Sequence, residues 1–151
     1  MSSKRRLVCS APGRAGIIGN PTDMYGGSVL SCSVGMRAWV TITSADDPVF
    51  CTNGTEVVLA RREDLRPQGD YFDIPRAILD YFRLPRLACR VEYYSELPVG
   101  SGMSSSTALL VAMLHAILTW QGRPRGNYQL AETARYIELN HLKIVGGYQD
   151  A

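Results

Sequence analysis

Excess charge is missing from this chain of 151 residues: Lys and Arg outnumber Asp and Glu by 16 to 14, which gives no basis for a nucleic-acid or membrane partner. The local cluster Lys4-Arg5-Arg6 reads as a solvated tail ahead of a strand. No apolar segment follows it as a secretory signal requires, and no run reaches the ~20 apolar residues of a membrane span. Histidine is scarce, with His115 and His141 on separate expected helices, and Cys9, Cys32, Cys51 and Cys89 show no C-x-x-C spacing. Zinc is therefore not expected. Each cysteine lies in an apolar run that reads as strand, which predicts buried, reduced thiols. These absences leave a soluble, cytoplasmic protein, of a length at which one domain buries about two-thirds of its unfolded surface.

What the chain does have is the stretch Leu97-Pro98-Val99-Gly100-Ser101-Gly102-Met103-Ser104-Ser105-Ser106-Thr107, running straight into the apolar segment Ala108 to Trp120. Gly100 and Gly102 permit backbone angles that other residues avoid, and Ser104 to Thr107 offer N-cap hydroxyls. A helix starting there points unpaired N–H groups and its positive dipole end at the loop, so phosphate is the natural guest. A Walker loop is excluded because no Lys is present, and a dinucleotide fingerprint because Ser105 stands where its third Gly belongs. A Gly/Ser linker capping a buried helix remains the alternative.

Leu7 to Ala11 is expected to be a strand ended by Pro12-Gly13. The segment Pro12 to Gly27 holds five glycines with Arg14 and Asp23, and reads either as a functional loop or as a turn-rich connection. Ser28 to Val34 and Arg37 to Thr43 read as two strands of a half-buried antiparallel sheet, with Ala38, Val40 and Ile42 alternating with Trp39, Thr41 and Thr43. Asn53-Gly54 predicts a type I′ hairpin. A helix is expected from Asp73, with Pro75 just inside and Pro85 at its end, then a strand through Cys89, Val91 and Tyr93. After the Gly/Ser stretch and its buried helix, Asn127 is expected to cap a second helix reaching about Leu142. On it Leu130, Ala134, Ile137 and His141 form an apolar stripe that also contains Glu138. An acid there is costly to bury without a partner, so Glu138 marks either a structural salt bridge or a site.

Taken together, three segments resemble the GHMP kinases. Leu97 to Ser106 is similar to the family's phosphate loop, Pro-x-Gly-x-Gly-Leu-Ser-Ser-Ser, with Met103 in place of Leu. Pro12-Gly13-Arg14 through Ile18-Gly19, Thr22-Asp23 and Gly26-Gly27 resembles its N-terminal sugar-kinase signature. Gly146-Gly147-Tyr148-Gln149-Asp150 resembles the segment that carries the catalytic Asp, and Glu138 precedes it by 150 − 138 = 12 positions, the galactokinase spacing for a metal-binding Glu.

The resemblance implies an α+β fold of a ribosomal-protein domain type, a mostly antiparallel sheet packed by helices. Residues 1–151 would be the N-terminal, ATP-binding domain, with the C-terminal half absent. Pro98, Gly100, Ser101, Gly102, Met103, Ser104, Ser105 and Ser106 would surround the ATP phosphates. Ser105 or Ser106 with Glu138 would bind Mg²⁺. Asp150 would accept the proton of the substrate hydroxyl, and Arg14 would keep Asp150 ionised and offset phosphoryl charge. Arg14, Asn20, Asp23, Gly26 and Asp150 would face the substrate.

Galactokinases carry Glu-His where this chain has Asn20-Pro21, so the resemblance shifts from galactose toward glucuronokinase, which acts on the anomeric hydroxyl of glucuronate. Other sugar 1-kinases rank second, and mevalonate- or homoserine-type substrates third. The alternative is an inactive fragment or ligand-binding relative, with apolar surface exposed for the missing half or for self-association. A nucleic-acid module is weaker still, since no basic stripe is present.

Overall fold

The computed structural model describes residues 5–84 and 87–150. Five strands, β1 (Arg6–Ile18), β2 (Leu30–Ser44), β3 (Val49–Thr52), β4 (Thr55–Val58) and β5 (Cys89–Ser95), form one sheet in the order β1-β2-β5-β3-β4. Every neighbouring pair is antiparallel except β3 with β5. Helices α1 (Asp73–Phe82), α2 (Ser105–Trp120) and α3 (Asn127–Ile137) complete an α+β domain, as expected.

The alternation expected along the strands sets the core. Ala38, Val40 and Ile42 of β2 are fully buried, and the register places Val40 opposite Tyr93 and Ile42 opposite Val91 on the same face. Cys9 pairs with Val40 and Leu7 with Ile42, so β1 extends that face, and α2 packs across it through Leu110, Met113, Leu114 and Ile117. Each such side chain contributes roughly 1.5–3 kcal/mol of transfer free energy. Because α2 is apolar all round, α1 and α3 must cover its remaining sides. The opposite sheet face is polar, with Arg90 bridging Glu56 and Glu92. Among the described residues no helix is long and apolar enough to cross a membrane.

Several expected boundaries move. β1 does not stop at Pro12-Gly13 but continues to Ile18, because it edges the sheet and Pro12 therefore needs no ladder donor. The two strands expected between Ser28 and Thr43 are one, β2, with residues 34–36 bulged opposite Gly13. The hairpin is as expected, with Asn53 and Gly54 at φ 50° and 74°. In α1, Arg83 at φ 54° closes the helix, and Pro85 lies outside the described residues. Gly126, not Asn127, holds the cap position of α3, and the expected single helix to Leu142 ends as a π turn over Glu138–Leu142. All four cysteines lie in strands, yet only Cys89 is buried and Cys32 is exposed. Burial pushes the Cys89 thiol up to about 12.

Candidate active site

The candidate site forms where β1 crosses the Gly/Ser loop. At Gly13 a Cβ would lie 2.3 Å from a Leu97 methyl and 2.8 Å from the Met103 carbonyl oxygen, so only glycine permits the crossing. One residue on, the Arg14 amide donates to Met103 O at 3.1 Å, and its guanidinium Nη1 donates to Gly102 O at 2.6 Å. Strand and loop are thereby locked together.

The loop is fastened at its other end too. The Glu96 carboxylate accepts from the Arg37 amide at 2.8 Å and from Trp39 Nε1 at 3.0 Å, pinning the exit of β5 to β2. Ser95 Oγ pairs with Ser105 Oγ at 3.0 Å. Gly100 and Gly102 turn the chain at φ 73° and 72°. Ser104 follows at φ 56°, in the left-handed region, as the cap residue of α2, but its hydroxyl does not cap the helix as expected. It donates instead to Asp150 Oδ1 at 2.7 Å. The first N–H groups of α2 therefore carry no side-chain cap and face the loop, which suits a phosphate.

Asp150 also accepts from Arg14 Nε at 2.7 Å and from Arg14 Nη2. A second contact joins the N-terminal segment to the same stretch: Asp23 Oδ2 accepts from the Gln149 amide at 3.0 Å. The approach is so close that a Cβ on Gly147 would overlap the Asp23 carboxylate. Asp23 is buried, and its Oδ1 has no partner among the described residues. Asn20 and Gly26 are not drawn into this cluster. The Asn20 side chain folds over Gly16, and Gly26, exposed at φ 82°, closes the short turn Thr22–Tyr25.

Glu138 is 4% exposed, and its Oε1 accepts from Thr107 Oγ1 at 2.6 Å. Its partner is thus a hydroxyl one step further into α2 than the serines expected, and not the cation of a structural ion pair. Ser106 is exposed, and Ser105 is engaged with Ser95. Burial raises the Glu138 pKa; the Thr107 hydrogen bond opposes this, the nearby Asp150 charge adds to it, and Arg135 lowers it. Among the described residues no three His, Cys, Asp or Glu side chains group as a metal site. Hydroxyls and ligand oxygens would have to complete any coordination about Glu138, and such hard oxygen donors suit Mg²⁺.

Sequence reasoning missed the wall facing the loop. A cleft of about 550 Å³ separates residues 98–106 from Asn53, Asp70, Tyr71, Ile74 and Tyr94. Arg76, 3% exposed, holds that wall by donating to Asp70 and Asp73 and to the Asp64 carbonyl. Burial works against the charge of Asp73, yet amides of Gln68 and Gly69 together with Arg76 keep it below the ordinary carboxylate range. The available signal was Asp70-Tyr71-Phe72-Asp73, two acids around aromatics immediately before a helix.

A cleft ending at an uncapped helix N-terminus, beside a carboxylate paired with an arginine, is the candidate site of this α+β domain. The family model for the GHMP kinases N terminal domain matches residues 73–151, and that for the galactokinase galactose-binding signature matches residues 1–44. The chain belongs to the GHMP kinase family. It is 31% identical to D-glycero-alpha-D-manno-heptose 7-phosphate kinase of Campylobacter jejuni, over 97% of this chain and 47% of the relative. It is 30% identical to galactokinase of Thermotoga maritima, over 95% and 42%. A D-glycero-D-manno-heptose 1-phosphate kinase from Bacteroides thetaiotaomicron superposes with a TM-score of 0.79 at 25% identity, over 95% of this chain and 52% of that one. The chain thus spans about half the length of these relatives.

Proposed function

We propose that this chain is the nucleotide-binding half of an ATP-dependent sugar kinase, with residues 1–151 acting as one domain. The observation that carries the reading is the junction of Arg14, Ser104 and Asp150, which sets a carboxylate beside an uncapped helix N-terminus. Main-chain N–H groups from Gly100 to Ser106 would hold the ATP phosphates, with Pro98, Ser101 and Met103 shaping the turn, and the base would occupy the cleft toward Tyr71 and Tyr94. Glu138 with a hydroxyl of Ser105, Ser106 or Thr107 would hold Mg²⁺, which when bound neutralises phosphate charge. Asp150 would take the substrate proton, and Arg14 would stabilise charge on the transferring group. Asp23, through its unpartnered Oδ1, would accept from a substrate hydroxyl, with Asn20 and Gly26, which flank it in sequence, also facing the substrate.

A hydroxyl-rich substrate fits these acceptors. The resemblance of Gly19 to Asp23 and Ile144 to Asp150 favours the anomeric hydroxyl of glucuronate, while the names of the relatives point to heptose phosphates and galactose. The test is ADP release by the full-length gene product with Mg-ATP and glucuronate, galactose and the heptose 7-phosphate in turn. Sugar-dependent release that Asp150→Asn lowers at least 100-fold is the expected result. Release insensitive to that substitution would overturn the assignment of Asp150.

A further inference from the structure

We infer that Ser104 is a positioning residue for Asp150, and that Oδ2 of that carboxylate is the atom that receives the substrate proton. The inference rests on the kinase reading above and deepens it.

Three donors converge on one oxygen of Asp150: Arg14 Nε at 2.7 Å, Arg14 Nη2, and Ser104 Oγ at 2.7 Å all reach Oδ1. A carboxylate oxygen offers two lone-pair directions, so Oδ1 is saturated and has no capacity left for a substrate hydroxyl. Oδ2 has no donor among the described residues. Gly146 lies beside it, with a Cβ there at an ordinary contact distance of 3.5 Å from Oδ2. The carboxylate is therefore anchored through one oxygen and presented through the other.

Ser104 contributes what Arg14 cannot. Arg14 has a long side chain shared between Asp150 and the Gly102 carbonyl, whereas the Ser104 hydroxyl is only two bonds from the Cα of a backbone that also begins α2, its own carbonyl accepting from the Ala108 amide at 2.9 Å. Ser104 gives up the usual capping bond and takes a left-handed conformation at φ 56° that a residue with a Cβ adopts at a cost. The hydroxyl so placed ties Asp150 to the loop that would hold the phosphates. In the reaction, the substrate O–H proton passes to Oδ2 while the oxygen lone pair forms the bond to the γ-phosphorus of ATP. The bond from that phosphorus to the bridging oxygen breaks, and its electron pair leaves with ADP. Rotation of the carboxylate about its own axis would spoil this alignment, and the Ser104 contact opposes that rotation.

Ser104→Gly isolates the hydroxyl, because glycine accepts the left-handed backbone without strain. In the full-length protein, with whichever sugar of the panel gives the highest rate, kcat is expected to fall tenfold or more. KM for the sugar and Kd for Mg-ATP should stay within twofold of wild type. Ser104→Ala, read by the same three constants, serves if the glycine variant does not fold. An unchanged kcat, or a loss confined to Mg-ATP affinity, would overturn the inference and leave Ser104 as a plain loop residue. If Asp150→Asn is inactive while Ser104→Gly is not impaired, only the role of Ser104 fails. If Asp150→Asn is active, the kinase reading of Asp150 fails with it.

Discussion

Glu138 shows how one side chain can be costly to the fold and useful to the site. Burial raises its pKa above the ordinary 4.5, with the Asp150 charge adding to the shift after the opposing Thr107 bond. As pH rises past 4.5 the unfolded chain loses this proton before the folded chain does. Folding is therefore penalised progressively until pH exceeds the raised folded value, and the full penalty stands above that. Glu138→Gln keeps an acceptor for Thr107 but carries no charge. It is expected to raise the melting temperature at neutral pH and to leave it unchanged well below pH 4.5, each kcal/mol appearing as about 2–4 °C in a chain of this size. Differential scanning fluorimetry at the two pH values checks this, and equal shifts at both would contradict it. The suspicion attached to Glu138 was legible from one helical stripe, whereas its partner was not. Four consecutive hydroxyls, Ser104 to Thr107, are chemically alike in sequence, and only the pitch of α2 turns Thr107 toward Glu138 while the left-handed backbone of Ser104 turns it toward Asp150.

At the scale of elements, α1 and the segment before it act as one piece through Arg76. The guanidinium is nearly inaccessible and reaches Asp73 at 2.8 Å and Asp70 Oδ2 at 3.2 Å, while Tyr93 OH donates to the Tyr71 carbonyl at 2.9 Å. Arg76→Met leaves two carboxylates without their cation. A fully buried pair broken in this way costs about 3–5 kcal/mol; with Asp70 and Asp73 partly in water, about 2–3 kcal/mol is expected. Urea unfolding measures that loss, and Mg-ATP binding should weaken with it because Asp70 and Tyr71 line the cleft. Retained stability would show that the clamp is not needed. Strand periodicity and the Asn53-Gly54 turn made β3, β4 and β5 readable in advance. The continuation of β1 through Pro12-Gly13 was not, because local turn signals outvoted pairing with β2 that only the assembled sheet supplies.

For the whole molecule, the core matches the sequence pattern, and the surface is where the chain differs from an ordinary domain. Ile17, Ile18 and Leu30 are 61%, 70% and 56% exposed, with Ile18 and Leu30 paired across β1 and β2. Tyr25 and Tyr148 are exposed on the two turns that touch nearby. If these apolar groups adjoin, they are expected to let the isolated chain associate. The isolated 151-residue chain is expected to show a sedimentation coefficient that rises with concentration, and Ile18→Glu to suppress the rise. A concentration-independent monomer would refute it. Composition alone could not show that Ile18 lies opposite Leu30, which only the strand register supplies.

The crossing at Gly13 has a dynamic consequence. With no room for a methyl group between β1 and the loop, and two hydrogen bonds from Arg14 to loop carbonyls, the loop cannot swing outward unless the strand frays with it. Its opening free energy is then set by the sheet rather than by its own glycines. A segment whose composition suggests slackness thus inherits the cooperativity of the strand beneath it.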